Sequence, residues 1–419
     1  MTVFYIHKKG GNMVSSEEIL LFKRISNRVN TDFFLQITRP RSLAFDEFFL
    51  KVSKLDELKK IPLDLWNYLY LLINGETAYK RGDLLAFQRF FSTSDDIGLC
   101  LFLSALSIRY GFFEAALDFR NQARLLALNN NEEKILYDNE LFAYHVSSLF
   151  EVGEFESGQI LLEKAGKSSS QPDKLIKKFS LLGSLVAPYL DFNVGNFIDP
   201  DFRSFLRGAS VAVVSPADID KNDGVQIDSL DLVAKCNHRD GLGKADTAKK
   251  KGYKCDLNYY NKLTVDYMIK NKIPFSKTPS WHIFKNSKQM NSLSIFSESE
   301  RYRSFIHMDY CLFHGALNAI PNILIDLIAH GVKHIELFHV NFMLTPNRYS
   351  GYHPPLALPN SLKQLSGFSN HDPFTQIFLT RQLCKTNDVK TDERLKKIFT
   401  MSNYDIARNY SEVYAGLSN

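Results

Sequence analysis

Histidine is the side chain of this sequence best suited to acid–base chemistry, because its ordinary pKa of about 6.5 lies close to neutral pH. Two histidines, His353 and His371, stand beside or near a proline in the second half of the chain. The other histidines have no spacing typical of metal ligands, and no His-Glu-x-x-His motif is present. The sequence also lacks the Gly-x-x-x-x-Gly-Lys-Ser/Thr and Gly-x-Gly-x-x-Gly phosphate loops. We therefore expect a reaction that needs no metal ion.

The sequence around these side chains predicts an α/β domain. Ser210-Val-Ala-Val-Val is a β-branched apolar run that ends in the turn Ser215-Pro-Ala-Asp, a pattern typical of a buried parallel strand. Further strand candidates lie at residues 231–237, 254–260 and 334–340. Residues 319–331 have helical periodicity and a closing glycine, which predicts a helix between the last two strands. Strand, helix and strand in this order predict a doubly wound sheet, which binds ligands at the carboxyl ends of its strands.

The sequence predicts that the first half of the chain is helical. From about residue 46 to residue 185 the apolar residues recur at helical spacing, and no strand-like alternation interrupts them. Three similar segments place Gly82, Gly111 and Gly153 between helical runs. The intervals are unequal, so this half resembles irregular tetratricopeptide-like hairpins. We predict an all-helical accessory domain over residues 1–185 and an α/β domain over residues 186–419.

Composition limits the class of protein. The chain has 419 residues, 45% of them apolar and 23% charged, which excludes collagen-like, coiled-coil and disordered classes. A net charge of +5 is too weak to indicate a nucleic-acid partner. Five widely spaced cysteines without a Cys-x-x-Cys pair favour neither a disulfide framework nor a zinc site. No apolar run approaches the roughly 18–20 residues of a membrane span, so we expect a cytoplasmic protein that touches the inner membrane at most peripherally.

Four segments of the second half resemble, in order, the motifs of glycosyltransferase family 29, the sialyltransferases. Val211-Ala-Val-Val-Ser-Pro-Ala, then Gly224-Val-Gln-Ile-Asp-Ser-Leu-Asp-Leu-Val-Ala-Lys-Cys-Asn, then Cys255-Asp-Leu-Asn-Tyr-Tyr, is similar to the long sialylmotif. Residues 316–342 resemble the short sialylmotif, Gly351-Tyr-His-Pro the third motif, and His371-Asp-Pro-Phe-Thr-Gln the last motif, His-x-x-x-x-Glu. The resemblance covers roughly residues 205–385.

The resemblance implies an inverting, metal-independent glycosyltransferase with a Rossmann-like doubly wound domain, a variant of the GT-A fold. Its donor would be CMP-sialic acid or CMP-Kdo, with no further cofactor. By the resemblance, His371 is the general base on the acceptor hydroxyl and His353 interacts with the leaving phosphate. The residues expected around the nucleotide are Ser215, Pro216, Ala217, Asn237, Gly315 and Asn318.

The chain departs from the family at three places. Ser215-Pro-Ala-Asp stands where many members have Gly-Asn-Ser-Gly, and Gln376 stands where the last motif has Glu. The disulfide of secreted animal members has no counterpart, because Cys236 and Cys255 both lie in the long-motif region. The missing disulfide agrees with a cytoplasmic bacterial member. Ser215-Pro216 and Gln376 favour an alternative, a non-catalytic helical-repeat scaffold with a degenerate nucleotide-binding domain. A third alternative is a nucleotide-dependent enzyme of different chemistry, such as a phosphotransferase.

Several of these residues have a second interpretation besides the functional one. His353 also fits a rigid surface turn, and His371 an exposed loop residue before a helix. The basic run Lys244–Lys254 is either a solvated face or a surface that collects an anionic acceptor or an anionic bilayer. Arg239 and Arg348 are two candidates for binding the donor carboxylate.

The partners follow from the same reasoning. The acceptor would be a bacterial surface glycan, either a capsule or a lipo-oligosaccharide. Helical-hairpin arrays present extended concave surfaces, so we expect the helical domain to recruit a protein partner or to hold a long acceptor. On this view, deleting roughly the first 180 residues spares nucleotide binding and impairs acceptor use.

Overall fold

The computed structural model describes residues 113–414 with several gaps, and a few positions between 97 and 108. The gaps are residues 195–196, 239–244, 274, 276–277, 286–300, 306–307, 309–316, 346–367 and 369–370. Among the residues predicted to be functional, Gly315, His353, Arg239 and Arg348 lie outside the described residues, as do Gly82 and Gly111. The contacts of the chain group Leu101–Ser418 into one compact unit, which contains every element described below.

Between residues 113 and 186 the structure describes five helices, as the apolar periodicity predicted. They are α1 (Phe113–Leu128), α2 (Glu132–Tyr137), α3 (Asn139–Val152), α4 (Phe155–Ser168) and α5 (Asp173–Val186). Gly153 has a φ of +86° between α3 and α4, so a glycine turn joins these two helices as expected. Phe150 packs edge-on against Phe179 and joins α3 to α5. A repeat domain that begins before residue 97 stays a prediction.

Seven parallel strands form one sheet in the described part of the chain. They are β1 (Ser210–Val214), β2 (Leu232–Cys236), β3 (Leu257–Tyr260), β4 (Trp281–Phe284), β5 (Tyr302–Ser304), β6 (His334–Phe338) and β7 (Val389–Lys390). Their order is β5-β4-β3-β2-β1-β6-β7. The four strands predicted from sequence are confirmed as β1, β2, β3 and β6, and the Rossmann-like α/β class is confirmed with them.

Eight further helices are described in this α/β part. They are α6 (Pro200–Leu206), α7 (Gly224–Ser229), α8 (Ala245–Lys251), α9 (Lys262–Lys270), α10 (Ala319–Ala329), α11 (Pro373–Thr386), α12 (Glu393–Thr400) and α13 (Asn403–Tyr414). The predicted helix at 319–331 is confirmed as α10, and Gly331 follows it with a φ of +86°. None of the described helices has the length and apolarity required to cross a bilayer.

Helices of the first half of the chain pack against helices of the α/β part. Helix α5 contacts α10 and α11, and α1 contacts α13. Phe113 of α1 packs against Phe368, Tyr410 and Tyr414 with ring centroids 4.9–5.9 Å apart. The helices α1 and α5 therefore share a core with α10, α11 and α13, whereas the predicted boundary at residue 185 separates them.

Candidate functional site

The strand order places a ligand-binding edge between β1 and β6. The strands β2 to β5 follow β1 on one side of the sheet, and β6 and β7 lie on its other side. The switch point of the sheet therefore lies between β1 and β6. Two turns meet there, the β1 turn (residues 215–218) and the β6 turn (residues 339–345). The N–H of Ser215 donates to the carbonyl of Phe338 at 2.9 Å, so the two strands stay paired up to their carboxyl ends.

The β1 turn offers fewer hydrogen-bond donors than the sequence predicted. The N–H of Ser215 is used by the sheet, and Pro216 has none. The carbonyls of Ser215 and Ala217 accept hydrogen bonds from the buried Nζ of Lys251, at 2.8 and 2.7 Å. Ala217 is fully buried, its backbone takes part in a β-bridge, and its N–H lies 3.5 Å from the Ser215 hydroxyl. Asp218 is exposed and is the residue of this turn that a ligand can reach.

Asn237 lies directly after β2, at the edge where the resemblance places the nucleotide. Its φ is +51°, a left-handed conformation that asparagine tolerates better than most residues. Its Oδ1 accepts the N–H of Asn261, which follows β3, at 2.9 Å. The buried side chain of Asn258 accepts the N–H of His238 and donates to its carbonyl, at 2.9 and 2.8 Å. The neighbouring strand ends thus present two linked asparagines on a fixed backbone.

The β6 turn is the most strained segment of this edge. His339, Phe342 and Met343 have φ values of +59°, +49° and +66°, although none of them is glycine. Each such residue costs roughly 1–2 kcal/mol in the left-handed region. Asn341 organises the turn, because its Oδ1 accepts the N–H of Met343 at 3.0 Å and its carbonyl accepts the N–H of Leu344 at 2.9 Å. Strain of this kind tends to occur at functional sites.

His339 is a buried, neutral side chain at the same edge. Its Nε2 lies 3.1 Å from the carbonyl of Lys250, so this nitrogen carries the proton, and 3.6 Å from a carboxylate oxygen of Asp223. Its Nδ1 has no hydrogen-bond partner among the described residues. Burial, followed by the positive charge of Lys251, lowers the pKa of His339 to about 3. This histidine therefore stays uncharged at neutral pH.

The charged residues of the long-motif region serve the fold. A Cβ at Gly224 would lie 2.3 Å from the carbonyl of Ala248, so glycine permits the close approach of α7 and α8. Asp228 accepts the backbone N–H groups of residues 253 and 254, at 2.8 and 3.0 Å. Asp231 accepts both the N–H and the hydroxyl of Ser210 at the start of β1. These contacts explain the motif residues without assigning them to a ligand.

The basic run is largely used inside the chain. Lys254 donates to the carbonyl of Leu230 at 2.7 Å, and Lys251 to the β1 turn. Lys250 lies 3.6 and 3.2 Å from the carboxylates of Asp218 and Asp220. These two aspartates form an Asp-x-Asp pair, and Lys250 supplies the positive charge beside it. No group of three or more metal-ligating side chains occurs among the residues that the structure describes.

The start of α10 contacts the last motif. The N–H of Asn318 donates to Oε1 of Gln376 at 2.9 Å, so this predicted phosphate donor is used by a buried side chain of α11. Asn318 precedes α10, and its own side chain makes no capping hydrogen bond. The contact places the short-motif and last-motif segments side by side.

His371 stands immediately before α11, as predicted. Asp372 caps that helix by accepting the N–H of Phe374 at 3.0 Å, and Pro373 is its first residue. The N–H of His371 donates to the carbonyl of Phe368 at 3.2 Å, and its side chain is half-buried. The position of His371 is therefore fixed by the first turn of α11.

A buried ion cluster from the helical half supports this cap. Arg120 of α1 donates to Asp372 at 2.6 Å and to Glu151 of α3 at 2.5 Å. The Thr375 hydroxyl lies 2.7 Å from both carboxylates. Burial alone would lower the pKa of Arg120, but Asp372 and Glu151 outweigh it and raise this pKa above its ordinary value. The guanidinium stays charged and joins three helices next to His371.

The structure thus groups most of the predicted residues at two places. Asn237 lies at the carboxyl edge with the β1 turn, while Asn318 and His371 lie at the starts of α10 and α11, which Gln376 links. Sequence reasoning missed Asn261, His339 and Arg120. The first could have been found as an asparagine that ends a strand in the same way as Asn237. No local sequence signal marks the other two, since their roles depend on distant partners.

Comparisons of the chain with protein-family models, with curated proteins and with solved structures found no match.

Proposed function

We propose that the chain is an inverting, metal-independent glycosyltransferase that moves a sialic acid or Kdo residue from its CMP-activated donor to a bacterial surface glycan. The observation that supports this proposal most is the placement of the segments that resemble sialylmotifs. The long-motif strands β1, β2 and β3 are adjacent and parallel, and β6, which ends the short motif, lies beside β1 across the switch point. In open parallel sheets, nucleotides bind at this place.

The proposed reaction needs donors around a departing phosphate. Cleavage of the CMP–sugar bond builds negative charge on the phosphate, and preorganised hydrogen-bond donors stabilise that charge in the transition state. The N–H of Asp218 and the side-chain NH2 groups of Asn237 and Asn261 are the groups we assign to the nucleotide. The N–H groups in the first turn of α10 are a further source of positive potential.

His371 is the proposed general base. In this mechanism the acceptor hydroxyl transfers its proton to His371 while its oxygen attacks the anomeric carbon opposite the leaving nucleotide. Attack from the opposite face inverts the configuration at that carbon. A histidine that is neutral near pH 7 accepts this proton without a large change in its environment. His353 is proposed to interact with the leaving phosphate.

The test is nucleotide protection followed by transfer. We expect CMP, and not UMP, AMP or GMP, to raise the midpoint of thermal unfolding, because a ligand that binds only the folded state stabilises it. With CMP-sialic acid or CMP-Kdo and a glycan acceptor, we expect transfer that persists in excess EDTA. Loss of transfer on chelation would refute the metal-independent mechanism.

A variant at Asn237 tests the site itself. Asn237→Gly keeps the left-handed backbone accessible and removes the amide, so we expect at least about tenfold weaker CMP binding. Ser169→Gly is the matched control, because Ser169 also has a left-handed φ of +51° but follows α4 in the helical half. Equal CMP affinity in the two variants would contradict the assignment of Asn237.

The rival functions have distinct outcomes in the same experiments. The hydrogen bonds that consume the N–H groups of Ser215 and Asn318 favour a degenerate nucleotide site, and hence the scaffold. Absence of both CMP protection and transfer would support that scaffold. Protection by adenine or guanine nucleotides in place of CMP would support a phosphotransferase.

A further inference from the structure

The strained β6 turn is anchored by two tyrosines of the C-terminal helix. The hydroxyl of Tyr410 donates to the carbonyl of Phe342 at 2.6 Å, and that of Tyr414 donates to the carbonyl of Met343 at 2.8 Å. These are the two consecutive residues of the turn that have positive φ values. Both hydroxyl contacts are buried, where a hydrogen bond is worth more than at the surface. The hydroxyls therefore offset the cost of the left-handed backbone.

The tyrosine rings are fixed in turn by aromatic packing. The ring of Tyr410 lies 4.9 Å from those of both Phe113 and Phe368, and the ring of Tyr414 lies 5.3 Å from Phe368. Burial, followed by the influence of Tyr414 and Asp372, raises the pKa of Tyr410 well above its ordinary value. Its hydroxyl thus keeps the proton that it donates.

The same rings touch the segment that carries His371. Phe368 packs against both tyrosines, and its carbonyl accepts the N–H of His371 at 3.2 Å. Helix α13 thus contacts the β6 turn through its hydroxyls and the Phe368–His371 segment through its rings.

We propose that Tyr410 and Tyr414 are positioning residues of the nucleotide site: their hydroxyls hold the β6 turn in the strained conformation that faces the β1 turn across the switch point. This inference rests on the proposed function for the identity of the ligand, a CMP-activated sugar. Without the hydroxyls, the turn relaxes toward ordinary backbone angles, and only a fraction of the molecules retains the binding conformation. The apparent affinity for the nucleotide falls in proportion to the fraction that remains.

The experiment replaces the hydroxyls alone. Tyr410→Phe, Tyr414→Phe and the double variant retain the rings and their packing. Tyr404→Phe is the matched control on the same helix, because the Tyr404 hydroxyl donates to Asp118 of α1 and does not contact the turn. Each protein is measured in full length for thermal unfolding, for hydrogen–deuterium exchange of peptides covering residues 339–345 and 210–217, and for CMP affinity by calorimetry.

We expect the double variant to exchange the amides of Met343 and Leu344 at least about tenfold faster than wild type, since two net hydrogen bonds correspond to that change in population or more. Exchange in the peptide covering residues 210–217 should be unchanged. The CMP dissociation constant should rise by about tenfold, and Tyr404→Phe should change it by less than about twofold. A general loss of stability would instead speed exchange throughout the chain and would not separate the turn from β1.

Unchanged exchange at residues 339–345 in the double variant would overturn the proposal, whether or not CMP binds. Faster exchange with unchanged CMP affinity would overturn the role of the turn in the site. If wild-type protein does not bind CMP, the proposed function fails, and the exchange rates alone then decide whether the hydroxyls hold the turn.

Discussion

Arg120 is the side chain whose loss we expect to damage the described unit most. In Arg120→Met, the carboxylates of Glu151 and Asp372 remain beside each other in a buried cluster after losing their shared cation. Arg124 compensates only partly, because its Nη1 lies 3.9 Å from Glu151 and its side chain is 23% exposed. Removing one partner of a buried ion pair costs about 3–5 kcal/mol. Whole domains have stabilities of about 5–15 kcal/mol, so this loss is a large fraction of the total.

Urea unfolding at pH 7, monitored by far-ultraviolet circular dichroism, measures this loss as a lower midpoint at unchanged slope. Arg120→Lys retains the charge but cannot reproduce the planar fork that reaches both carboxylates, so we expect a cost of roughly 1–2 kcal/mol. Arg381→Met is the control on α11, because Arg381 is half-buried and its hydrogen bond to Met401 is long, at 3.5 Å. We expect it to cost about 1 kcal/mol or less.

Neutralising the carboxylates tests the cause. In the triple variant Arg120→Met, Glu151→Gln, Asp372→Asn, no unpaired charge remains buried, so we expect it to recover most of the stability lost in Arg120→Met. A single variant that loses less than about 1 kcal/mol, or a triple variant that is no more stable than the single one, would refute this electrostatic reasoning.

Three further outcomes follow from the site and the fold. His371→Ala should reduce transfer by about 100-fold with CMP affinity unchanged, whereas His334→Ala, at the amino end of β6, should retain activity; equal rates would remove His371 as the base. Because the folded-state pKa of His339 is about 3 and the unfolded value about 6.5, the folded state binds fewer protons, so stability is lost as pH falls below about 6.5. Between pH 7 and pH 5 the free energy of unfolding of the wild-type protein should fall by about 2 kcal/mol through this group. Urea titrations of His339→Asn should lack this contribution, and an equal loss in that variant would contradict the role of His339. Deleting residues 1–186 removes Arg120 and Phe113 from the shared core, so we expect the remaining fragment not to fold. A folded fragment that binds CMP would instead support the predicted separable helical domain.

Local patterns predicted the strands and the central helix because their causes lie in neighbouring residues. The run at 210–214 is apolar on every buried position, and the closing glycine of α10 needs only its own backbone freedom. Strands β4, β5 and β7 were not predicted from the sequence. Of these, β5 and β7 have only three and two residues, which are too few to show alternation. Their strand character comes from pairing with β4 and β6, a tertiary effect.

The union of helices and sheet could not be predicted for a related reason. Arg120 and Asp372 are separated by 252 positions, and either residue alone resembles an ordinary helical surface charge. The tyrosines of α13 read as part of an amphipathic helix, and only the fold reveals that their hydroxyls reach the β6 turn. Glycine-bounded helical runs suggested a separable array, because a periodic pattern shows that a face is buried without showing against what.

The motif residues that carry the family resemblance are of two kinds: some stabilise the sheet and its helices, and others are proposed to contact the ligand. Gly224, Asp228 and Asp231 have complete structural explanations, so they would be required in any protein that joins β1 to β2 through α7 and packs α7 against α8 in this way. Their match supports a common fold more than a common reaction. Asn237 and His371 differ, because we propose a direct contact with the ligand for each of them. The proposed reaction depends on these two side chains, so variants at them discriminate between a transferase and a scaffold more sharply than variants at the other motif positions that the structure describes.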